Sequence, residues 1–175
     1  MKRLALTVFA VLTAFTAAPL RADENHPQPK LTPAMKKLHA LAGTWTGKNK
    51  MDGKEQDMQV KYRVTSNGTA VEEILFPGTP HEMVSVYFQA GDDVLFTHYC
   101  AMGNQPRMKL VSTRGNRLTF EEVASDTTGL SAPDAPRMGG LVLTLKGKDK
   151  ITADWSTAGK GEGEKMSSFS FAREK

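Results

Sequence analysis

The chain has 175 residues, with 23 lysines and arginines against 19 acidic residues, four histidines and a single cysteine, for a net charge of +4. That excess is small and part of it sits at the N-terminus, which excludes the strong basic footprint of a nucleic-acid or anionic-membrane binder. One thiol, Cys100, excludes an internal disulfide, so the core must hold the fold unaided.

The first residues form a targeting segment. Met1-Lys2-Arg3 is basic, Leu4 to Ala18 is apolar or small, and Asp23-Glu24-Asn25-His26 is polar. This is the layout of a secretory signal peptide, with the cut expected after Ala22 and Leu20 at the −3 position. The apolar run is shorter than the roughly 20 residues a spanning helix needs. No Cys lies near the cut to carry a lipid, so no stable membrane anchor is expected after cleavage. Cleavage removes Lys2, Arg3 and Arg21 and no acid, leaving +1 of the original +4. The expected location is periplasmic or secreted.

Residues 23–32, with Pro27 and Pro29, read as a flexible lead-in, and 33–175 as one domain. Thr32-Pro33 has the form of a helix N-cap followed by proline at the first helical position. Ala34, Leu38 and Leu41 then recur at helical spacing, predicting one short helix over 33–41.

From Gly43 onward the pattern is strand and turn. Ten strands are expected at 44–50, 57–65, 69–76, 83–90, 93–101, 107–113, 117–125, 140–146, 151–157 and 166–173. Between them lie Asp52-Gly53, Asn67-Gly68, Gly91-Asp92, Gly115-Asn116 and the glycine-containing stretches near residues 147 and 159–163. These residues accept positive φ cheaply and mark hairpins. Ile151, Ala153 and Trp155 alternate with Thr152, Asp154 and Ser156, and Val84, Val86 and Phe88 with Ser85, Tyr87 and Gln89. Such alternation predicts one buried and one wet face, here with the apolar set inward. Ten hairpin-linked strands without helical crossovers predict an all-β, up-and-down antiparallel barrel, closure removing the exposed edges. The one long irregular stretch, Asp126 to Met138, carries Pro133 and Pro136 and reads as an Ω-loop or lid.

Leu41-Ala42-Gly43-Thr44-Trp45-Thr46-Gly47 resembles the Gly-x-Trp entry of the calycin superfamily, which includes lipocalins, fatty-acid-binding proteins and nitrobindin-like barrels. The resemblance implies that Trp45 plugs one end of the barrel and that Arg173, on the last strand, packs against it. The segments from Phe76 to Met83 and from Thr97-His98-Tyr99-Cys100 to Met108 look like a group of exported bacterial lipocalin-like proteins of unknown function. What this resemblance implies is a fold and no defined activity. Nitrobindin-like barrels continue the entry motif with a third glycine and ligate haem through a histidine near the C-terminus. Here Asn49 takes that position and no histidine follows His98, so neither haem held in that manner nor any other cofactor is expected.

The chemistry-bearing residues cluster around His98. On an extended strand Phe96, His98, Cys100 and Met102 share one face, and Gly103-Asn104-Gln105-Pro106 turns the chain into Arg107. Glu73 sits in the apolar run from Val71 to Phe76 and enters the barrel if its neighbour Glu72 points out. A buried carboxylate needs a partner, which His98 or Arg107 could supply. Glu121-Glu122 are expected in solvent.

Two readings stand side by side. In one, Glu73, His98, Tyr99, Asn104, Gln105 and Arg107 orient a small-molecule ligand inside the barrel, gated by the 126–138 segment. In the other, these groups satisfy one another and serve structure alone. His98 with a carboxylate also suits an acid–base pair in a hydrolase-like enzyme, and a packed barrel acting through its surface is a further rival. His98, Cys100 and Met102 are soft metal ligands. Alternate strand residues stand roughly 6.6 Å apart, however, so one ion could bridge two of them but hardly three. No nucleophile elbow, phosphate loop, zinc signature or dinucleotide fingerprint occurs. The unclustered aromatics offer no nucleic-acid stacking platform, and the oligomeric state is left open.

Overall fold

The computed structural model describes residues 30–51, 54–160 and 166–175. The signal peptide and most of the lead-in expected from the sequence lie outside the described residues, as does the Asp52-Gly53 turn.

Helix α1 spans Pro33–His39 and starts as its sequence dictates. Thr32 is extended (φ −62°, ψ 158°), its hydroxyl accepts from Met35 N–H at 3.2 Å, and Pro33 occupies the first turn. The helix ends two residues before the expected Leu41. Its buried face is Ala34, Met35 and Leu38.

Ten strands follow: β1 (Gly43–Met51), β2 (Lys54–Thr65), β3 (Ala70–Leu75), β4 (Met83–Ala90), β5 (Asp93–Tyr99), β6 (Arg107–Arg114), β7 (Arg117–Glu122), β8 (Arg137–Leu145), β9 (Lys150–Ala158) and β10 (Met166–Arg173). Each pairs antiparallel with its sequence neighbours, and β1 pairs β10, closing the barrel. The expected all-β meander is the fold. No helix among the described residues is long and apolar enough to cross a membrane.

Closure at the β1–β10 seam is short, with Trp45 opposite Arg173 and Thr46 opposite Ala172. Beyond it the paired register ends, and a side chain bridges the strands: Asn49 Oδ1 accepts from Ser170 N–H at 2.9 Å. Gly47 lies where a Cβ would overlap the Ser170 carbonyl oxygen, so only glycine lets the strands approach there.

The helix caps one end. Trp45 is 1% exposed, donates from Nε1 to the Leu41 carbonyl at 2.7 Å, and lies under the Arg173 guanidinium at 4.1 Å. Arg173 in turn donates to the carbonyls of Ala42 and Ala40, each at 2.7 Å, satisfying acceptors left free at the helix C-terminus. Lys37 donates to the Gly115 carbonyl, and Gln89 ties Thr32 and Lys30 to β4. The Trp–Arg packing implied by the resemblance is therefore present.

Most of the interior is packed. Phe96 stands 4.6 Å from Tyr87, 5.1 Å from Phe120 and 6.0 Å from Trp155, ring centre to ring centre, among Val60, Leu118 and Leu143. Strand β9 points Ile151, Ala153 and Trp155 inward as expected. Strand β4 does the reverse of its expectation: Ser85 and Tyr87 are buried inside, while Val84, Val86 and Phe88 take the outer face, half-buried. Two-residue periodicity separates faces but does not say which is inner, and here inward polar groups have partners.

Candidate functional site

The end opposite α1 carries the turns β3–β4, β5–β6 and β7–β8, and the polar residues converge below it. Three cross-strand pairings place them in one row: Tyr62 opposite Glu73, Glu73 opposite Ser85, and Ser85 opposite His98. Directly opposed residues on one face stand about 5 Å apart, within side-chain hydrogen-bonding reach.

Glu73 is 1% exposed. Its Oε1 accepts from Tyr62 Oη at 2.6 Å and its Oε2 from Tyr87 Oη at 3.1 Å, and Ser85 stands directly opposite it on β4. Burial pushes its pKa up, opposed by the neighbouring hydroxyls of Tyr62, Ser85 and Tyr87. Both tyrosines are held well above their usual range, first by burial and then by the Glu73 charge. The partners expected for this carboxylate, His98 or Arg107, are thus replaced by Tyr62 and Tyr87.

His98, also 1% exposed, shares Nδ1 with Ser85 Oγ at 3.0 Å. Its Nε2 is buried and has no partner among the described residues. Burial lowers its pKa to about 4, so the ring is neutral near pH 7. It lies 5.0 Å from the Trp155 ring and lines a pocket of about 90 Å³ with Leu75, Phe76, Met83, Met138, Trp155, Ser167 and Phe169. A wider groove of about 580 Å³ runs along β1 and β2 beneath the turn from Phe76 to His81, and Phe76 lines both spaces. Phe76 adopts φ +54°, an uncommon conformation for a bulky residue, held by bonds from Phe76 N–H to the Gln59 carbonyl and from Thr79 to the Phe76 carbonyl.

The remaining expected residues lie elsewhere. Strand β5 ends at Tyr99, so alternation stops before Cys100, and Gly103 N–H closes a turn on the Cys100 carbonyl at 2.9 Å. Tyr99 is 51% exposed on the outer face, and Met102 is 55% exposed. His98, Cys100 and Met102 are consequently not gathered, and among the described residues no three His, Cys, Asp or Glu groups cluster to hold a metal ion. Arg107 is also outside, its guanidinium 5.3 Å from the Phe88 ring centre, because its neighbour Met108 takes the inward position on β6. Glu122 is not solvated as expected: its side chain is 8% exposed and accepts from Arg137 Nε at 2.6 Å and Thr127 Oγ1 at 2.7 Å.

Asn104 and Gln105 serve the loop rather than the pocket. Asn104 Nδ2 donates to the Pro136 carbonyl at 3.0 Å, Gln105 Oε1 accepts from Thr128 Oγ1 at 3.1 Å, and Gln105 and Thr128 form a two-residue β-bridge. The connection between β7 and β8 is therefore pinned, with Lys160 N–H also donating to the Asp134 carbonyl. Replacing Asn104 by Ala is expected to cost about 1 kcal/mol and to raise amide exchange selectively over 126–136. Unchanged exchange there would show that Asn104 does not anchor the loop.

Chemically, the row offers a neutral imidazole with one open nitrogen beside an apolar pocket. Among the described residues no carboxylate contacts His98, and Ser85 is wholly buried between His98 and Glu73. Neither arrangement makes an exposed nucleophile with a base behind it, as covalent catalysis through a serine requires. Sequence reasoning missed Tyr62, Ser85, Tyr87 and Trp155. The signal was present for Trp155, inward by β9 alternation, whereas Ser85 and Tyr87 were assigned to the wet face.

No protein-family model matches the chain, and no curated protein matches it. Among solved structures it is similar to Rv2717c from M. tuberculosis, with 16% identity and a TM-score of 0.58 over 83% of this chain and 100% of that one. This likeness supports the barrel fold.

Proposed function

We propose that the chain is an exported, lipocalin-like barrel of the calycin kind that binds a small molecule at the end remote from α1, in the pocket that His98 lines. One observation carries the reading: His98 Nε2 is a buried polar atom without a partner, beside a pocket otherwise walled by Leu75, Phe76, Met83, Met138, Trp155 and Phe169. Buried polar atoms are nearly always satisfied in native proteins, and an exception calls for a ligand or a function. An apolar pocket with one directed polar group is the usual form of a small-molecule site. The strained Phe76, between pocket and groove, supports entry from that side. The targeting segment and a nearly neutral mature chain support a periplasmic or secreted location, without nucleic acid as partner.

The test is native mass spectrometry of protein secreted from an export-competent host. The expected result is a chain starting at Asp23 with a bound small molecule, or one that acquires a bound molecule from a library. His98→Asn, which keeps a donor to Ser85 and removes Nε2, should weaken that binding at least tenfold with little change in denaturant midpoint. A chain that stays ligand-free through the screen would leave the packed barrel standing instead.

A further inference from the structure

We propose that the pocket at His98 is a site for a soft monovalent metal ion of the Cu(I) class, held by His98 Nε2 and the thioether sulfurs of Met83 and Met138. This rests on the reading above that His98 Nε2 takes its partner from outside the chain, and it names that partner's class.

The three side chains come from three strands and meet through register. Ser85 on β4 stands opposite His98 on β5, and Met83 lies two residues before Ser85, on the same face. Met83 is therefore the diagonal neighbour of His98, about 7–8 Å away and within reach of a long side chain. Met138 enters from β8 opposite Thr157, two residues past Trp155 on β9. The Trp155 ring is 5.0 Å from the His98 ring, and His98, Met83, Met138 and Trp155 line one pocket. Met83 and Met138 thus supply, from other strands, the sulfurs that Cys100 and Met102 do not.

Chemistry selects the ion. Thioether and imidazole suit Cu(I), whereas Mg(II), Ca(II) and Mn(II) call for carboxylates and carbonyls. No acidic residue lines the pocket, so a divalent ion would sit there with its charge unbalanced. The desolvation cost of an ion grows as the square of its charge, which favours a monovalent one. No lysine or arginine lines the pocket to repel a cation, and the Trp155 ring beside His98 offers a π surface that attracts one. Size agrees. The pocket's volume of about 90 Å³ is less than the roughly 150 Å³ of an apolar cavity that takes benzene. An ion needs no such room, and methionine, with three rotatable bonds, can close on it. His98 also has the outer contact that orients a metal-bound histidine. With Nε2 on the metal the ring proton sits on Nδ1, which then donates to Ser85 Oγ at 3.0 Å. Coordination itself selects that tautomer.

The probe is Ag(I), added as the nitrate in chloride-free buffer, a redox-inert ion with the charge and ligand preference of Cu(I). It is titrated into the mature secreted chain carrying Cys100→Ser, which removes the free thiol outside the pocket. One equivalent should bind, shifting the methyl ¹³C–¹H signals of Met83 and Met138 alone among the methionines. In a Trp45→Phe background it should also quench Trp155. Met83→Leu and Met138→Leu keep the apolar volume and lose the sulfur, so the denaturant midpoint should hold. Each should weaken Ag(I) at least tenfold, and His98→Asn should do the same. Zn(II) in hundredfold excess should displace nothing. X-ray absorption of the anaerobic Cu(I) complex should show one nitrogen and two sulfur neighbours. Ag(I) affinity untouched by both leucine variants, displacement by Zn(II), or a copper shell without sulfur overturns the site. If a library molecule binds through His98 while Ag(I) does not, the ion falls and the binding reading stands. If neither binds, both fall.

Discussion

Replacing Trp45 by Ala should destabilise the protein by about 3–5 kcal/mol, the range for removing a fully buried aromatic side chain. Three things are lost together. The ring is 1% exposed at the capped end, its Nε1–H satisfies the Leu41 carbonyl, and its face supports the Arg173 guanidinium at 4.1 Å. Arg173 holds the carbonyls of Ala40 and Ala42, so loosening it also frees the end of α1. Against a typical total of roughly 5–15 kcal/mol, the variant should unfold at much lower denaturant. Trp45→Phe keeps most of the apolar area and loses mainly the indole hydrogen bond, about 1 kcal/mol. Urea midpoints with equal slopes for the three proteins measure this. A Trp45→Ala loss below 1 kcal/mol would mean that the helix and Trp45 do not seal the barrel.

The strand order was legible because hairpins announce themselves through residues that tolerate positive φ: Gly91, Gly115 and Gly147 all take it, at 63°, 56° and 78°. The capped end was legible too, since Thr32-Pro33 and Gly43-Thr44-Trp45 are local signals. The inner face was harder. On β9 the inward set is apolar and periodicity gives the answer. On β4 the inward set is Ser85 and Tyr87, stabilised by Glu73 and His98, which lie on other strands. A polar row becomes buried only when its members meet, and that meeting depends on the register of three strand pairs rather than on any one segment. The end of β5 was hidden for a related reason. In the sequence, alternation continues through Cys100 and Met102, yet Gly103 at φ +83° closes a turn that returns the chain to Arg107. Met108 could have placed Arg107 correctly: an inward methionine puts its neighbour outside.

Acid should weaken this fold through His98, and the size of that effect tests the whole row. A histidine with a folded pKa of about 4 and an unfolded value near 6.5 leaves the unfolded chain binding more protons between those limits. Stability from His98 is fully present above pH 6.5 and is lost as pH falls towards 4, by about 3 kcal/mol at roughly 1.4 kcal/mol per pH unit. Other groups titrate in the same window, so the quantity to follow is the stability of the parent minus that of His98→Asn, from urea unfolding at each pH. It should fall on acidification and be flat above pH 7. Glu73 acts in the opposite sense. Its folded pKa is raised, so its contribution is complete below the unfolded value near 4.5 and is lost as pH rises through the folded one. The parent minus Glu73→Gln difference should therefore decline towards alkaline pH. Opposite slopes would mark two groups that are each poorer in charge than in water, with an uncharged serine between them. A His98 difference that grew on acidification would mean an imidazolium paired with Glu73.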